Sequence, residues 1–203
     1  KNAIMGLEKE SLKINTESLK IYPKLLNIYN FENFQTYKII LNKNKMLLKD
    51  SDLKILIHYI YNLENRLSFK NLDLKIDKKN KPLINIRKIY FSNYGYNKNI
   101  VIGELFNKKF KILTNDSYNK INFKLLKTGI SANINFDKIK KNSVLRGVFK
   151  SKLLNSNLKF DFDYDDKKLN IYNSYFRSRD LSFNNESKII YQPFFSFNSI
   201  FNV

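Results

Sequence analysis

Residues 157–173, "NLKFDFDYDDKKLNIYN", alternate with a period of two. Leu158, Phe160, Phe162 and Tyr164 take every second position, and Lys159, Asp161, Asp163 and Asp165 fill the gaps. Successive side chains on a strand point to opposite faces, so this stretch is a ribbon with one apolar side and one charged side. Leu169 and Ile171 resume the pattern after a polar break at 165–168, as the return arm of a hairpin does. What the chain does depends on what meets the apolar side.

The same signature recurs along most of the sequence. Strands are expected at 66–77, 83–92, 99–106, 109–114, 119–126, 129–137, 143–154, 157–164 and 169–176, then in "DLSFN" (180–184) and "SKIIYQPFF" (187–195). Within 66–77 the apolar phase slips between Phe69 and Leu72, which predicts a bulge near Lys70–Asn71. Residues 12–28 carry short apolar runs broken by Pro23 and suggest edge strands or irregular structure. One helix is expected, at 50–64, where Leu53, Leu56, Ile57, Ile60 and Leu63 recur at spacings of three and four behind a capping Asp50, Ser51 or Asp52. Short polar connections and the lack of crossover helices point to an antiparallel meander. The expected fold is therefore mainly β: one β-rich segment over 1–203, with a helix-containing part at 1–65 and a continuous meander at 66–203.

Composition settles how the turns are built and removes several chemistries. With only five glycines and three prolines, reversals fall to Asn, and "LNKNK" (41–45), "YNKN" (96–99) and "FNNES" (183–187) read as turns. Gly129 in "KTGIS" reads as a turn residue with positive φ. No cysteine is present, which excludes disulfides, thiolate metal sites and cysteine nucleophiles. His58 is the only histidine, too little for a triad or a zinc site. The series Asp161, Asp163, Asp165, Asp166 fails as a calcium loop, because Asp166 and Tyr172 stand where such a loop needs Gly and Glu. No glycine-rich phosphate loop occurs, so neither an enzyme nor a cofactor or metal site is expected.

A net charge of +19 raises the question of nucleic acid or an anionic surface. Lys, Asn, Ile, Phe and Tyr are the residues that AT-rich codons favour, so the surplus is read mainly as drift on solvated faces. "IRKIYFSNYGYNKN" (86–99) interleaves aromatics with cations, and a basic sheet that stacks bases is the alternative reading. An outer-membrane barrel is a third; its strands alternate too, but many here are short and Lys falls on both faces.

"INFKLLKTGISANINFD" (121–137) and "SKLLNSNLKFDFDYDDKKLNIYNSYFRSRDLSF" (151–183) resemble the AsmA-like superfamily, in particular the central region of its large YhdP- and TamB-type members. "LKILIHYIYNLENRLSFKNLDLKID" (53–77) is similar to that family's short apolar segment followed by a strand. The likeness spans about residues 50–195. It implies a long curved sheet forming an open hydrophobic groove, in a bacterial envelope protein linked to phospholipid transport between inner and outer membrane and to outer-membrane biogenesis. It also implies a periplasmic location, with the inner-membrane anchor supplied by a segment outside these residues, and no catalytic motif. On this reading phospholipid, or another acyl-chain lipid, is the partner and nucleic acid is not. The groove lining is assigned to Leu158, Phe160, Phe162, Tyr164, Leu169 and Ile171 with Ile130, Ile134 and Phe136 from the strand at 129–137.

Overall fold

The computed structural model describes residues 3–7, 12–25, 35–49, 52, 56, 65–78, 81–137, 144–165 and 167–202. Fourteen strands account for nearly all of them. They are β1 (Ala3–Leu7), β2 (Leu12–Pro23), β3 (Thr36–Lys49), β4 (Arg66–Lys78), β5 (Lys81–Ser92), β6 (Ile100–Leu105), β7 (Lys108–Thr114), β8 (Lys120–Leu125), β9 (Ile130–Phe136), β10 (Leu145–Leu153), β11 (Ser156–Tyr164), β12 (Lys168–Arg177), β13 (Ser182–Ile190) and β14 (Ser196–Asn202). The chain divides into two compact units, Lys1–Phe110 and Lys111–Val203. In each, neighbours in sequence are neighbours in the sheet. The mainly-β meander is therefore what the structure shows.

The first unit departs from expectation in three ways. Residues 12–23 form a full strand paired on both sides, with Pro23 at its end, where the apolar runs suggested edge strands or irregular structure. "LNKNK" makes no reversal but lies inside β3, held between β2 and β4. And β3 pairs with β4 in parallel, from Lys38↔Arg66 to Lys49↔Asp77. A parallel pair needs a crossover of about a dozen residues or more, and residues 50–65 make that connection. The helix expected at 50–64 lies mostly outside the described residues, His58 included; Asp52 and Leu56 are described and are helical.

Left-handed residues break the alternation of these strands at matching levels. Lys43 (φ 53) stands level with Asn71 (φ 57), between the pairs Asn42↔Lys70 and Asn44↔Leu72. Lys88 (φ 51) does the same on β5, beside the pair Leu72↔Ile89. Each inserts one residue, so inward positions jump by three: Leu41 to Asn44, Phe69 to Leu72, Ile86 to Ile89. Asn71 confirms the bulge predicted from the phase slip. Carbonyls freed by the break are met from inside: Thr16 Oγ1 donates to Ser18 O (3.0 Å) and Asn42 O (3.1 Å), and Asn44 Nδ2 donates to Lys70 O (3.2 Å). Both side chains are buried; the Thr16 hydroxyl and the Asn44 amide nitrogen are hydrogen-bonded there, while Asn44 Oδ1 meets no partner among the described residues. Around them Leu12, Ile14, Leu41, Met46, Leu48, Leu67, Phe69 and Leu74 form a closed core, against which Leu56 packs.

In the second unit the strands from β8 to β11 keep uniform registers, such as Phe149↔Phe160 and Phe149↔Ile134. Its turns use positive φ at Lys127, Gly129 and Leu154, so Gly129 behaves as expected. "YNKN" is a turn in the first unit. "FNNES" is not a turn; it lies within β13, which runs unbroken through the gap expected between two separate strands. The physical reason is that residues 184–190 pair without a break with β14, and Asn185 is tied to Ser174 on β12 and Ser199 on β14.

Candidate functional site

Directly opposed residues in a ladder share a face, so the registers sort the second unit's side chains. Phe162 faces Gly147 on β10 and Ile171 on β12; Gly147 faces Phe136 on β9. Tyr164 faces Leu169, and Leu158 faces Phe176. Ile134 and Ile130 face Ile121 and Leu125 on β8. All nine residues assigned from sequence thus lie on one side of one sheet. Between them sequence reasoning missed Phe149, and beyond them Phe176, Phe183 and Phe201. Of these, Phe183 stands between polar Ser182 and Asn184, a signal that was available; Phe149, Phe176 and Phe201 each follow an apolar or aromatic residue, which blurs the alternation.

The rings interlock. Phe149 stacks on Phe160 with centroids 4.7 Å apart, and Phe136 meets Phe162 edge-on at 6.1 Å. Phe176 stacks on Phe183 at 4.9 Å, and Phe183 meets Phe201 at 5.6 Å. Phe162 is seated over Gly147, and a Cβ there would lie 3.0 Å from its Cζ.

A polar seam crosses the same face on β12 to β14. The alternation of β12 breaks at Asn173 (φ 48), which brings Ser174 inward. The Ser174 hydroxyl accepts the Asn185 backbone N–H (2.9 Å) and lies against the Asn185 side-chain oxygen. Asn185 Nδ2 donates to Ser187 Oγ (2.7 Å) and Ser199 Oγ (3.2 Å), and those two hydroxyls are 2.8 Å apart. Sequence gave no warning of this seam, because an Asn–Ser run reads as loop.

The opposite face is polar. Arg146 pairs with Asp163 (3.3 Å), Tyr172 OH donates to the same carboxylate (3.1 Å), and Asn173 Nδ2 donates to Asp161 (2.9 Å). Burial, then the hydrogen bond to Asp163, pushes the Tyr172 hydroxyl above its ordinary value. In the turn beyond, backbone N–H groups of Lys167 and Lys168, each 2.8 Å from Asp165 Oδ1, hold that carboxyl below the usual range.

The two units differ in how far their apolar faces are buried. The first holds side chains at 0–1% exposure, such as Ile14, Leu41 and Leu67. In the second only Leu125 and Phe162, each at 8%, count as buried apolar residues among those described. Phe160, Leu158, Ile134 and Leu169 are half-buried, shielded by strand neighbours. Among the described residues no group of His, Cys, Asp or Glu is arranged to hold a metal ion. No helix among them is long and apolar enough to cross a membrane.

Comparison with protein families, with curated proteins and with solved structures returns no match to this chain.

Proposed function

We propose that the second unit shelters the acyl chains of a phospholipid, or of another acyl-chain lipid, on its apolar face. One observation carries this reading: a wide, aromatic-rich face on which, among the described residues, most apolar side chains are only half-buried. Each methylene laid on such a surface gains about 0.8 kcal/mol. Cations along the strand ends and turns, among them Lys127, Lys152 and Lys168, offer charge to an anionic head group. The likeness to AsmA-like proteins in "LKFDFDYDDKKLNIYN" supports the same assignment: a non-enzymatic periplasmic segment of an inner-membrane-anchored protein, moving phospholipid towards the outer membrane. The nucleic-acid reading draws less support, since Arg87 and Lys88 of "IRKIYFSNYGYNKN" already pair with Glu104 at 3.9 and 3.0 Å.

Neighbouring positions on β11 provide the test, because Phe160 and Asp161 point to opposite faces. A photo-crosslinking residue replaces each in turn in cells expressing the protein, and phospholipid adducts are sought by mass spectrometry. Adducts at 160 and not at 161 are expected. No adduct at either position would overturn the proposal.

A further inference from the structure

Three reversals at one end of the second unit share a composition: "LLKTGI" (125–130) between β8 and β9, "KLLNSN" (152–157) between β10 and β11, and "RSRDLS" (177–182) between β12 and β13. The strands run antiparallel in chain order, so these turns stand side by side. A Cβ on Gly129 would lie 3.6 Å from the Leu154 Cα, and Arg177 at the third reversal pairs with Asn157 just past the second. Each reversal carries leucine, and together they hold Lys127, Lys152, Arg177 and Arg179 against Asp180 alone. All four cations are exposed, and none forms an ion pair among the described residues. Leu154 is the residue least explained by folding: it takes φ 57, a left-handed conformation suited to Gly or Asn, and is 65% exposed. Leu153 and Leu181 are 45% and 48% exposed.

We propose that this end of the second unit docks on an anionic lipid surface, the leucines entering among the acyl chains and the cations resting at the head groups. Leucine tips alone would fit any apolar partner, and cations alone any polyanion. The two interleaved within each turn fit the layer where apolar chains and anionic groups meet. Two of the turns are also closed by their own side chains. Thr128 Oγ1 donates to Leu125 O (2.8 Å) and accepts from Ile130 N (3.2 Å); Ser178 N donates to Leu181 O (2.8 Å), and Ser178 Oγ accepts from Leu181 N (3.1 Å). These backbone groups keep their partners when water withdraws. The opposite end is composed differently, with Asp116, Asp137 and Asp165 in or beside its turns and Phe194 and Phe195 in the last of them. The inference does not rest on the sheltering of acyl chains by the sheet face, which adducts at Phe160 test alone.

A net charge of +19 draws any face towards anionic vesicles, so the test reads which turns enter them. The 203-residue chain has no tryptophan, and Leu181→Trp and Phe194→Trp each supply a single emitter, one at either end. On vesicles of equal parts phosphatidylcholine and phosphatidylglycerol, emission should shift to the blue at 181 and stay unchanged at 194. Vesicles of phosphatidylcholine alone should bind about tenfold more weakly or worse. Leu154→Asn gives the turn a residue suited to its φ. It should keep or raise the melting temperature while weakening binding to the anionic vesicles about tenfold; a leucine that served folding alone would do the reverse. No binding to anionic vesicles, retention of heparin without vesicle binding, equal binding to both vesicle types, or bound protein with no blue shift at 181 would each overturn the proposal.

Discussion

Phe162 occupies the space that a side chain at position 147 would need. A Cβ on Gly147 would lie 3.0 Å from the Phe162 Cζ and 2.5 Å from the Asn135 carbonyl oxygen, with backbone on one side and a ring on the other. Gly147→Ala should therefore destabilise the second unit by about 1–3 kcal/mol, the usual cost of overpacking. Urea denaturation followed by circular dichroism measures the loss. Adding Phe162→Leu should recover part of it, because only the ring can retreat, and a double-mutant cycle isolates that share.

Leu41 and Phe160 test whether the two apolar faces differ in kind. Leu41 is wholly buried, so Leu41→Ala should cost about 2–5 kcal/mol. Phe160→Ala removes a larger but only half-buried side chain and should cost less than Leu41→Ala. Comparable losses at the two positions would mean that the second face is closed as tightly as the first.

Much of the meander is legible in the sequence because its signal is local. Alternation through "LKFDFDY" or "ISANINF" reports which side of a strand is dry, and the slip in "LSFKNLDL" reports the bulge at Asn71. β3 is illegible for the opposite reason. Its inward row is Leu41, Asn44, Met46 and Leu48, so a polar residue stands in the core and the left-handed position falls on a lysine. Asn44 is held there by Lys70 O on another strand, a partner that no window of sequence contains. The site divides in the same way: the nine apolar residues were readable from alternation. The seam of Ser174, Asn185, Ser187 and Ser199 depends on pairings between three strands.

Asp165 gives the fold a dependence on acid. Its carboxyl is held below the ordinary 3.8 by two backbone N–H groups, so the folded state binds a proton less readily than the unfolded chain. Its contribution is fully present above pH 3.8 and is lost as pH falls through the lower folded value. Asp165→Asn, which removes the charge, should lower stability at neutral pH and flatten its decline in that acid window. Thermal melts of both proteins from neutral to strongly acidic pH make the comparison; an unchanged slope would show that other carboxylates govern the acid limb.

The left-handed residues of β3, β4 and β5 have a further effect, on alignment. In a uniformly alternating sheet a strand displaced by two positions keeps every apolar side chain on its proper side and gives up only its ends. Lys43, Asn71 and Lys88 remove that freedom. Each strand carries a step halfway along, and a displaced strand would bring its step beside an unstepped stretch of its neighbour, turning part of the core towards water. The strands fit like wards in a lock, in one position. From β8 to β11, where no step occurs, that discrimination is absent, and alignment there rests on the turns and on single fits such as Phe162 above Gly147.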